Sequence, residues 1–400
     1  MIEFYQPELH HKSSYKFNPN HAITIQSGIS YHHQSSYYGT THYQGDQTNY
    51  NINATHLFYW NTHTLSSGIS FKRLRINENI LFNDDFEKTY SGMLKDEKIP
   101  GIFVENNFSW NSGNLQIITG LRADNHNEYG LFITPRGLLK YNISENTIAR
   151  LSIGSGWRTI NLFNEHPNLL SSNKNIIISD NLKPEKAVNY GFNILQAIYM
   201  ENLEIQIILD FYKTYFTNQI NPNYHSSPLE VYVDNFEEPS KSNSIQAEIG
   251  MEIIQSIGLK TAYNYLDVFH IHNGEKHTLP FTSKHHILNT LSYRPINKNW
   301  YIDFNTHWIG QKKLPNTDSY PTEYQRPGMS DPYWIINGQF TLEIDKRDLE
   351  IYLGCENILN FRQEDPIISW QEPFGQYFDI SNIWGPTKGR EFYLGLRMTI

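Results

Sequence analysis

Taken in steps of two from its last residue, the chain reads Ile400, Met398, Leu396, Leu394 and Phe392, and the positions between are Thr399, Arg397, Gly395, Tyr393 and Glu391. Strict alternation of this kind belongs to a β-strand, whose successive side chains point to opposite faces. Here one face is wholly apolar. The same test succeeds upstream: Tyr50, Ile52, Ala54, His56, Phe58 and Trp60 share one parity, as do Ile102, Val104, Asn106, Phe108 and Trp110. Leu203, Ile205, Ile207, Leu209 and Phe211 form another set, followed by Trp300, Ile302, Phe304, Thr306 and Trp308, and by Trp334, Ile336, Gly338, Phe340, Leu342 and Ile344. About 17 segments of roughly 9–15 residues alternate in this way, a length that suits a tilted strand crossing a bilayer.

The connections alternate too. Short turns rich in Asn, Pro, Gly and Ser recur at 17–20, 60–63, 110–114, 142–146, 199–202, 255–258, 294–299 and 344–348. Between them lie longer polar segments at about 32–49, 73–99, 122–131, 158–185, 217–242, 267–284, 311–332 and 359–388. An antiparallel meander with one tight and one elaborated end is the pattern of an outer-membrane barrel, with periplasmic turns and extracellular loops. Trp60, Trp110, Tyr141, Tyr199 and Trp300 stand beside short turns, where an interfacial aromatic girdle belongs. The expected fold is therefore all-β, an antiparallel transmembrane β-barrel. A soluble β-repeat binding protein alternates as well, but it turns its apolar face inward.

Composition narrows the partners. A formal net charge of −9 argues against a nucleic-acid surface. No apolar run is long enough for a transmembrane helix. The N-terminal residues MIEFYQPELHHK lack the basic and apolar regions of a secretion signal. A single cysteine, Cys355, excludes a disulfide framework, and its parity places it on the apolar face.

Several stretches together resemble the C-terminal part of a TonB-dependent outer-membrane receptor, in particular its Bacteroidetes-type members. They are TPRGLLKYNISENTIARLSIGSGWRTINLFNE at 134–165, NLKPEKAVNYGFN at 181–193 and DFYKTYFTNQI at 210–220, with LGCENILN at 353–360 and PFGQYFDISNIWGPTKGREFYLGLRMTI at 373–400. The resemblance implies a barrel of about 22 strands around an N-terminal plug. It also implies energised uptake of a bulky nutrient such as a ferric siderophore, haem, cobalamin or metal complex. Residues 1–400 show no plug and about five strands too few, so they are expected to be the C-terminal barrel portion of a split or truncated receptor. The partners implied are outer-membrane lipid, the barrel-assembly machinery at the terminal strand 389–400, a small-molecule or metal-chelate ligand, and the TonB complex only through the absent plug. The location implied is the outer membrane, with no cofactor.

Candidate site residues follow from position. Arg150, Gly154 and Gly156 share the lumen-facing parity and Arg158 ends the same strand, so all four are expected to face a plug. Alternatively the glycines relieve crowding beside Trp157. Pro184 in the LKPE turn marks a strand start. Loop aromatics Tyr37, Tyr38, Tyr320, Tyr324, Trp370 and Phe374 suit stacking on a planar ligand, or packing of loop on loop. Loop histidines include His32, His33, His42, His166, His225, His270, His272 and His277; of these His270 and His272 are carried as ligand-binding candidates. No metal-ligand spacing occurs among them, so no metal site is assigned. No GxSxG is present and no catalytic residue is named, although a barrel enzyme with residues assembled across strands stays as an alternative.

Overall fold

A computed structural model describes residues 2–82, 89–224, 227–253, 256–344 and 349–398; His225, Thr399 and Ile400 therefore lie outside the described residues. The strands are β1 (Ile2–Tyr5), β2 (Glu8–Asn18), β3 (His21–Tyr38), β4 (Thr41–Trp60), β5 (His63–Leu81), β6 (Thr89–Trp110) and β7 (Leu115–His126). They continue with β8 (Gly130–Ser144), β9 (Thr147–Arg158), β10 (Asn175–Ile178), β11 (Glu185–Met200), β12 (Leu203–Thr217), β13 (Glu230–Val233) and β14 (Ser240–Ile253). The last are β15 (Ile257–His272), β16 (Glu275–Thr278), β17 (His285–Tyr293), β18 (Trp300–Ile309), β19 (Tyr333–Ile344), β20 (Leu349–Glu356) and β21 (Glu391–Met398).

One antiparallel sheet holds all but β10 and β13, which pair in parallel apart from it. β1 and β2 both pair with β3 and make one interrupted strand, as β16 and β17 do along β15. Seventeen wall strands remain among the described residues, matching the number of alternating segments in the sequence. β21 pairs with β20, and β1 and β2 pair with β3; among the described residues no ladder joins the two edges, so the sheet is open.

The apolar parity faces out. Phe392, Leu394, Leu396 and Met398 of β21 are 73, 73, 69 and 64% exposed, while Tyr393 and Gly395 between them are half-buried. Around the wall the exposed set continues through Ile25 and Ile29, Tyr50 and Ile52, Ile69 and Phe71, Ile102 and Val104, Leu151 and Ile153, Phe211 and Leu209, and Ile245 and Ile249. On β4 the apolar parity runs from Tyr50 to Trp60. Ten steps of roughly 3.3 Å, tilted by about 40°, give a band close to 25 Å tall, the height expected of a barrel's lipid-facing belt. Trp60, Trp110 and Tyr141 end it at the tight-turn side and are exposed. The opposite parity is polar: Arg150 donates to Asn193, whose amide donates in turn to Asp210 on the next strand, at 2.6 and 2.8 Å.

Several segments expected as irregular loops are strand. β3, β4, β5 and β6 run for 18, 20, 19 and 22 residues, about twice the bilayer requirement. Segments 32–49 and 122–131 are thus mostly ladder closed by tight turns, and 73–99 is ladder on both flanks. The reason is an inversion of polarity along one strand. On β5, Ile69 and Phe71 point out and are exposed, but further up it is the inward parity that is apolar, with Ile76 and Ile80 3 and 0% exposed. The outward positions there are Arg73 and Arg75; Arg73 donates two hydrogen bonds to Asp96 of β6. Beyond Phe71 the outward positions are charged, so apolar burial shifts to the inner face instead.

Candidate functional site

The inward apolar face at the elaborated end is covered by the loops themselves. Ile80 and Phe82 pack with Leu162 and Phe163 of a short helix, Leu169, Leu170, Ile176 of β10, Ile220, and Val231 and Val233 of β13. Tyr38, Tyr43 and Tyr224 pack against this cluster from its edges. Burial raises the Tyr224 hydroxyl far above the ordinary tyrosine range, and its partner is the Asn168 amide at 2.7 Å. A small water-soluble core thus sits inside the mouth of the wall.

Polar clamps fix it there. Lys95 donates to Thr159 Oγ1 and the Ile160 carbonyl, at 3.0 and 2.9 Å, and pairs with Glu97 at 3.0 Å. Buried His126 lies 3.5 Å from the same carboxylate. Arg158 forms ion pairs with Glu165, at 2.8 Å, and with buried Glu185, which also accepts from the Ile220 amide. The third clamp joins three loops. Lys174, Tyr320 and Asp379 come from segments 159–184, 310–332 and 357–390. The Lys174 ammonium donates to the Tyr320 hydroxyl at 2.6 Å and pairs with Asp379 at 3.1 Å, and Tyr320 donates to Asp379 at 2.7 Å. The Lys174 and Asp379 side chains are each 2% exposed. Burial, then the neighbouring Asp379 charge, holds the Tyr320 phenol protonated.

Among the loops lies a cleft of about 380 Å³, lined among others by Asn221, Asn223, Phe236, His270, His277 and Lys313. It is walled by the segment after β12, the β15–β16 hairpin and the segment after β18. The Phe236 and His270 rings stack at 4.3 Å and 15°, and His270 and His277 at 5.3 Å and 19°. Flat π-faces, amide groups and one ammonium suit a planar, polar or anionic guest. Among the described residues no three His, Cys, Asp or Glu side chains converge as a metal site.

The remaining expected residues divide by surroundings. His272 stands edge-on to His277 at the hairpin tip. Tyr37 stacks on His42 at 4.4 Å and is 52% exposed, whereas Tyr38 turns into the loop core. Tyr320 is 4% exposed and occupied by the clamp. Tyr324 and Tyr377 lie 5.7 Å apart, and Phe374 packs on Phe378. Phe374 also covers Gly39 at the β3–β4 turn: Gly39 has φ +64, and any Cβ there runs into the Phe374 ring. Trp370 is 56% exposed in the same segment. Residues the sequence reading did not single out are Lys174, Phe236, Asn223 and Lys313. A lone lysine in the Asn/Ser-rich run SSNKN before the apolar run III was the available signal for Lys174.

On the inner wall, Gly154 and Gly156 border a second hollow of about 570 Å³, with Glu105, Arg136, Ser152 and Asn189. A Cβ at Gly156 meets nothing within 4 Å, so crowding does not explain it; one at Gly154 meets only the Arg136 stem. Arg136 crosses Gly120 to pair with Glu105, leaving the glycines as the floor of the hollow. Arg150 stays in the polar ladder, and Arg158 is engaged by its two glutamates.

Solved structures share this architecture. The copper transporter OprC matches with a TM-score of 0.72 at 12% identity, over 98% of this chain and 65% of that one. The ferric-catecholate import receptor Fiu of E. coli K12 gives 0.67 at 12%, over 99% and 64%. The siderophore receptor PirA of Acinetobacter baumannii gives 0.71 at 13%, over 99% and 62%. The chain thus spans somewhat less than two thirds of these proteins, and at such identities the likeness is one of fold. No curated protein matches. The family model for the TonB-dependent receptor-like β-barrel matches residues 4–358, at the level of the family rather than its Bacteroidetes type, and with that match the chain belongs to the TonB-dependent receptor family.

Proposed function

We propose that residues 1–400 form the C-terminal part of the wall and the extracellular mouth of an outer-membrane importer for a small molecule or metal chelate. Family membership supports a receptor and transporter role, rather than a barrel enzyme. The observation that carries the placement is the exposed apolar belt, about 25 Å tall, with polar residues on the opposite parity. In this reading the cleft at Phe236, His270 and His277 takes the ligand first, because an importer meets its cargo at loop tips. The Gly154–Gly156 hollow receives a plug, through which the TonB complex acts, and the terminal strand 389–400 is what the barrel-assembly machinery recognises. Siderophores and copper are the cargo named for the neighbours, and a catecholate suits a cleft of stacked rings.

Two measurements test this. Supplied with the plug and further strands that a whole receptor is expected to have, the chain should fractionate with outer membranes and resist extraction by high salt. Cells carrying Phe236→Ala with His270→Ala should capture radiolabelled ferric enterobactin roughly fivefold to a hundredfold less well, since losing two stacking faces removes on the order of 1–3 kcal/mol. Release by salt alone refutes the wall; unchanged capture refutes the cleft.

A further inference from the structure

One pair of histidines on the inner wall belongs to neither the loop core, the clamps nor the cleft. β17 and β18 pair with Ile287 opposite Trp308 and His286 opposite Ile309. Trp308 shares the outward parity of Trp300, Ile302 and Phe304, so His286 and His307 face inward. They stand at the upper end of the wall, next to buried Ile309 and the segment that begins at Gly310.

The two rings lie 5.6 Å apart, centroid to centroid, and are inclined at 54°. The His286 ring makes a hydrogen bond to the Ser283 backbone, while its Nε2 is buried with no partner among the described residues. Nδ1 therefore carries the proton that the Ser283 carbonyl accepts, and Nε2 is left with a lone pair. That is the state of a metal-binding histidine, whose other nitrogen donates to a carboxylate or carbonyl that fixes the ring. Ser283 is a firm anchor: it is buried and forms an antiparallel bridge with Lys312. A buried acceptor without a partner costs free energy until something fills it.

With a metal–nitrogen bond of about 2.0–2.1 Å and a ring radius of roughly 1.2 Å, each centroid would lie about 3.2 Å from a bound ion. Two rings on one ion are then about 5.2 Å apart at the tetrahedral angle and about 6.4 Å apart when collinear. The observed 5.6 Å falls between these limits, so an ion fits between the rings without moving either strand. Two nitrogens are too few to close a zinc site, which takes four protein ligands, or three with a water. Imidazole also suits copper, and Cu⁺ is satisfied by two ligands. The Lys312 charge bears on both rings, and its ammonium donates to the Trp384 carbonyl at 2.6 Å. A neighbouring cation repels a divalent ion twice as strongly as a monovalent one. We propose that His286 and His307 bind one Cu⁺ ion on the inner wall, tying β17 to β18 below the loops. The pair stands apart from the cleft at His270, so its failure would leave the ligand reading of that cleft untouched.

The test uses the full chain in detergent micelles without oxygen, titrated with Cu⁺ against a competing chelator and, in parallel, with Zn²⁺. One Cu⁺ per chain should be retained, more tightly than Zn²⁺, and X-ray absorption at the copper edge should show two imidazole nitrogens at roughly 2 Å. His286→Ala and His307→Ala should each weaken retention roughly a hundredfold or more, since losing even the hydrogen bond that supports a ligand costs about 10–100-fold. His307→Cys should keep the ion, because a thiolate is a strong ligand for Cu⁺. His270→Ala with His277→Ala, in the cleft, should leave retention unchanged. Retention that survives both single alanine variants, that falls equally in the cleft variant, or that favours Zn²⁺ would overturn the site, as would a spectrum with fewer than two imidazoles. Should an alanine variant lose strand content by far-UV circular dichroism, His307→Cys still decides, and loss of copper there overturns the pair.

Discussion

Lys174, Tyr320 and Asp379 hold three loops together at one point, and the strength of that point can be worked out. Asp379 Oδ2 receives both the Lys174 ammonium and the Tyr320 hydroxyl, while its Oδ1 accepts the Ser381 amide. With both charged side chains 2% exposed, neither is solvated by water. Removing one member of a buried pair strands the other, at a cost of about 3–5 kcal/mol. Asp379→Ala should therefore release the segments around Lys174 and Tyr320 as well as its own. Tyr320→Phe removes one hydroxyl but leaves the ion pair, and should cost about 1–3 kcal/mol. Replacing both charges, Lys174→Met with Asp379→Leu, strands no charge and leaves only the phenol and the Ser381 amide without these partners, so it should recover much of the loss.

Amide hydrogen exchange reads this directly, because local opening free energies are what protect each segment. Peptides covering 163–178, 317–325 and 367–381 should all exchange faster in Asp379→Ala, by two orders of magnitude or more for the best protected amides, at about 1.4 kcal/mol per tenfold. Strand peptides from the belt should not change. If Asp379→Ala accelerates exchange only within 367–381, the three loops are not coupled through this triad. If the double replacement exchanges as fast as the single, the cost is not that of a stranded charge.

Other consequences follow from single positions. Ile69 lies mid-belt on the outward face, so Ile69→Lys should destabilise the folded wall by about 2–4 kcal/mol, measured by urea titration in vesicles, whereas a lysine at inward-facing Asn53 should cost far less. Gly39→Val meets both a left-handed backbone and the Phe374 ring; it should cost about 2 kcal/mol or more and speed exchange in 371–378. His166 has its pKa lowered from 6.5, by burial first, against the opposing pull of Glu165 and Glu185 and with the help of Arg158. Its neutral form is the one that packs, so this contribution to loop order is complete above about pH 6.5 and is lost as the pH falls below it. Exchange in 161–170 should therefore rise between about pH 7.5 and 5.5, and His166→Asn should remove the dependence.

The wall was legible because lipid-facing strands keep a period-two rule through the belt, interrupted only singly by residues such as His56, Asn106 and Thr306. The β21 set from Phe392 to Met398 is the plainest case, and seventeen alternating segments became seventeen wall strands. What the rule missed lies where the solvent changes. Between Phe71 and Ile76 the apolar parity of β5 reverses, and a search for one continuous parity breaks off there and records a loop. The loop contacts were less legible still. Lys174 and Asp379 are 205 positions apart, and nothing in either neighbourhood names the other. Loop aromatics offered two readings; Tyr38, Tyr320 and Phe374 pack on the protein's own residues, Tyr37 stacks on His42 with half its surface exposed, and Trp370 is more exposed than buried. Among the loop histidines, His270 is distinguished only by Phe236, brought across from another segment.

The reversal on β5 also explains how a polar, open-mouthed wall can carry ordered loops. A strand twice as long as the bilayer is thick must satisfy two solvents in opposite directions. Its lower half buries nothing within the protein and is stabilised by lipid outside; its upper half exposes Arg73 and Arg75 and buries Ile76 and Ile80 inside. Each half therefore supplies what the other lacks: the belt anchors the strand in the membrane, and the upper inner face offers loops 159–184 and 217–240 an apolar surface that a simple barrel mouth would not. The cleft at His270 is then bounded by loops held on a rigid frame rather than by mobile chain. Such pre-ordering lowers the entropy a ligand must overcome on binding, and it makes the placement of Phe236 over His270 a consequence of where the membrane ends.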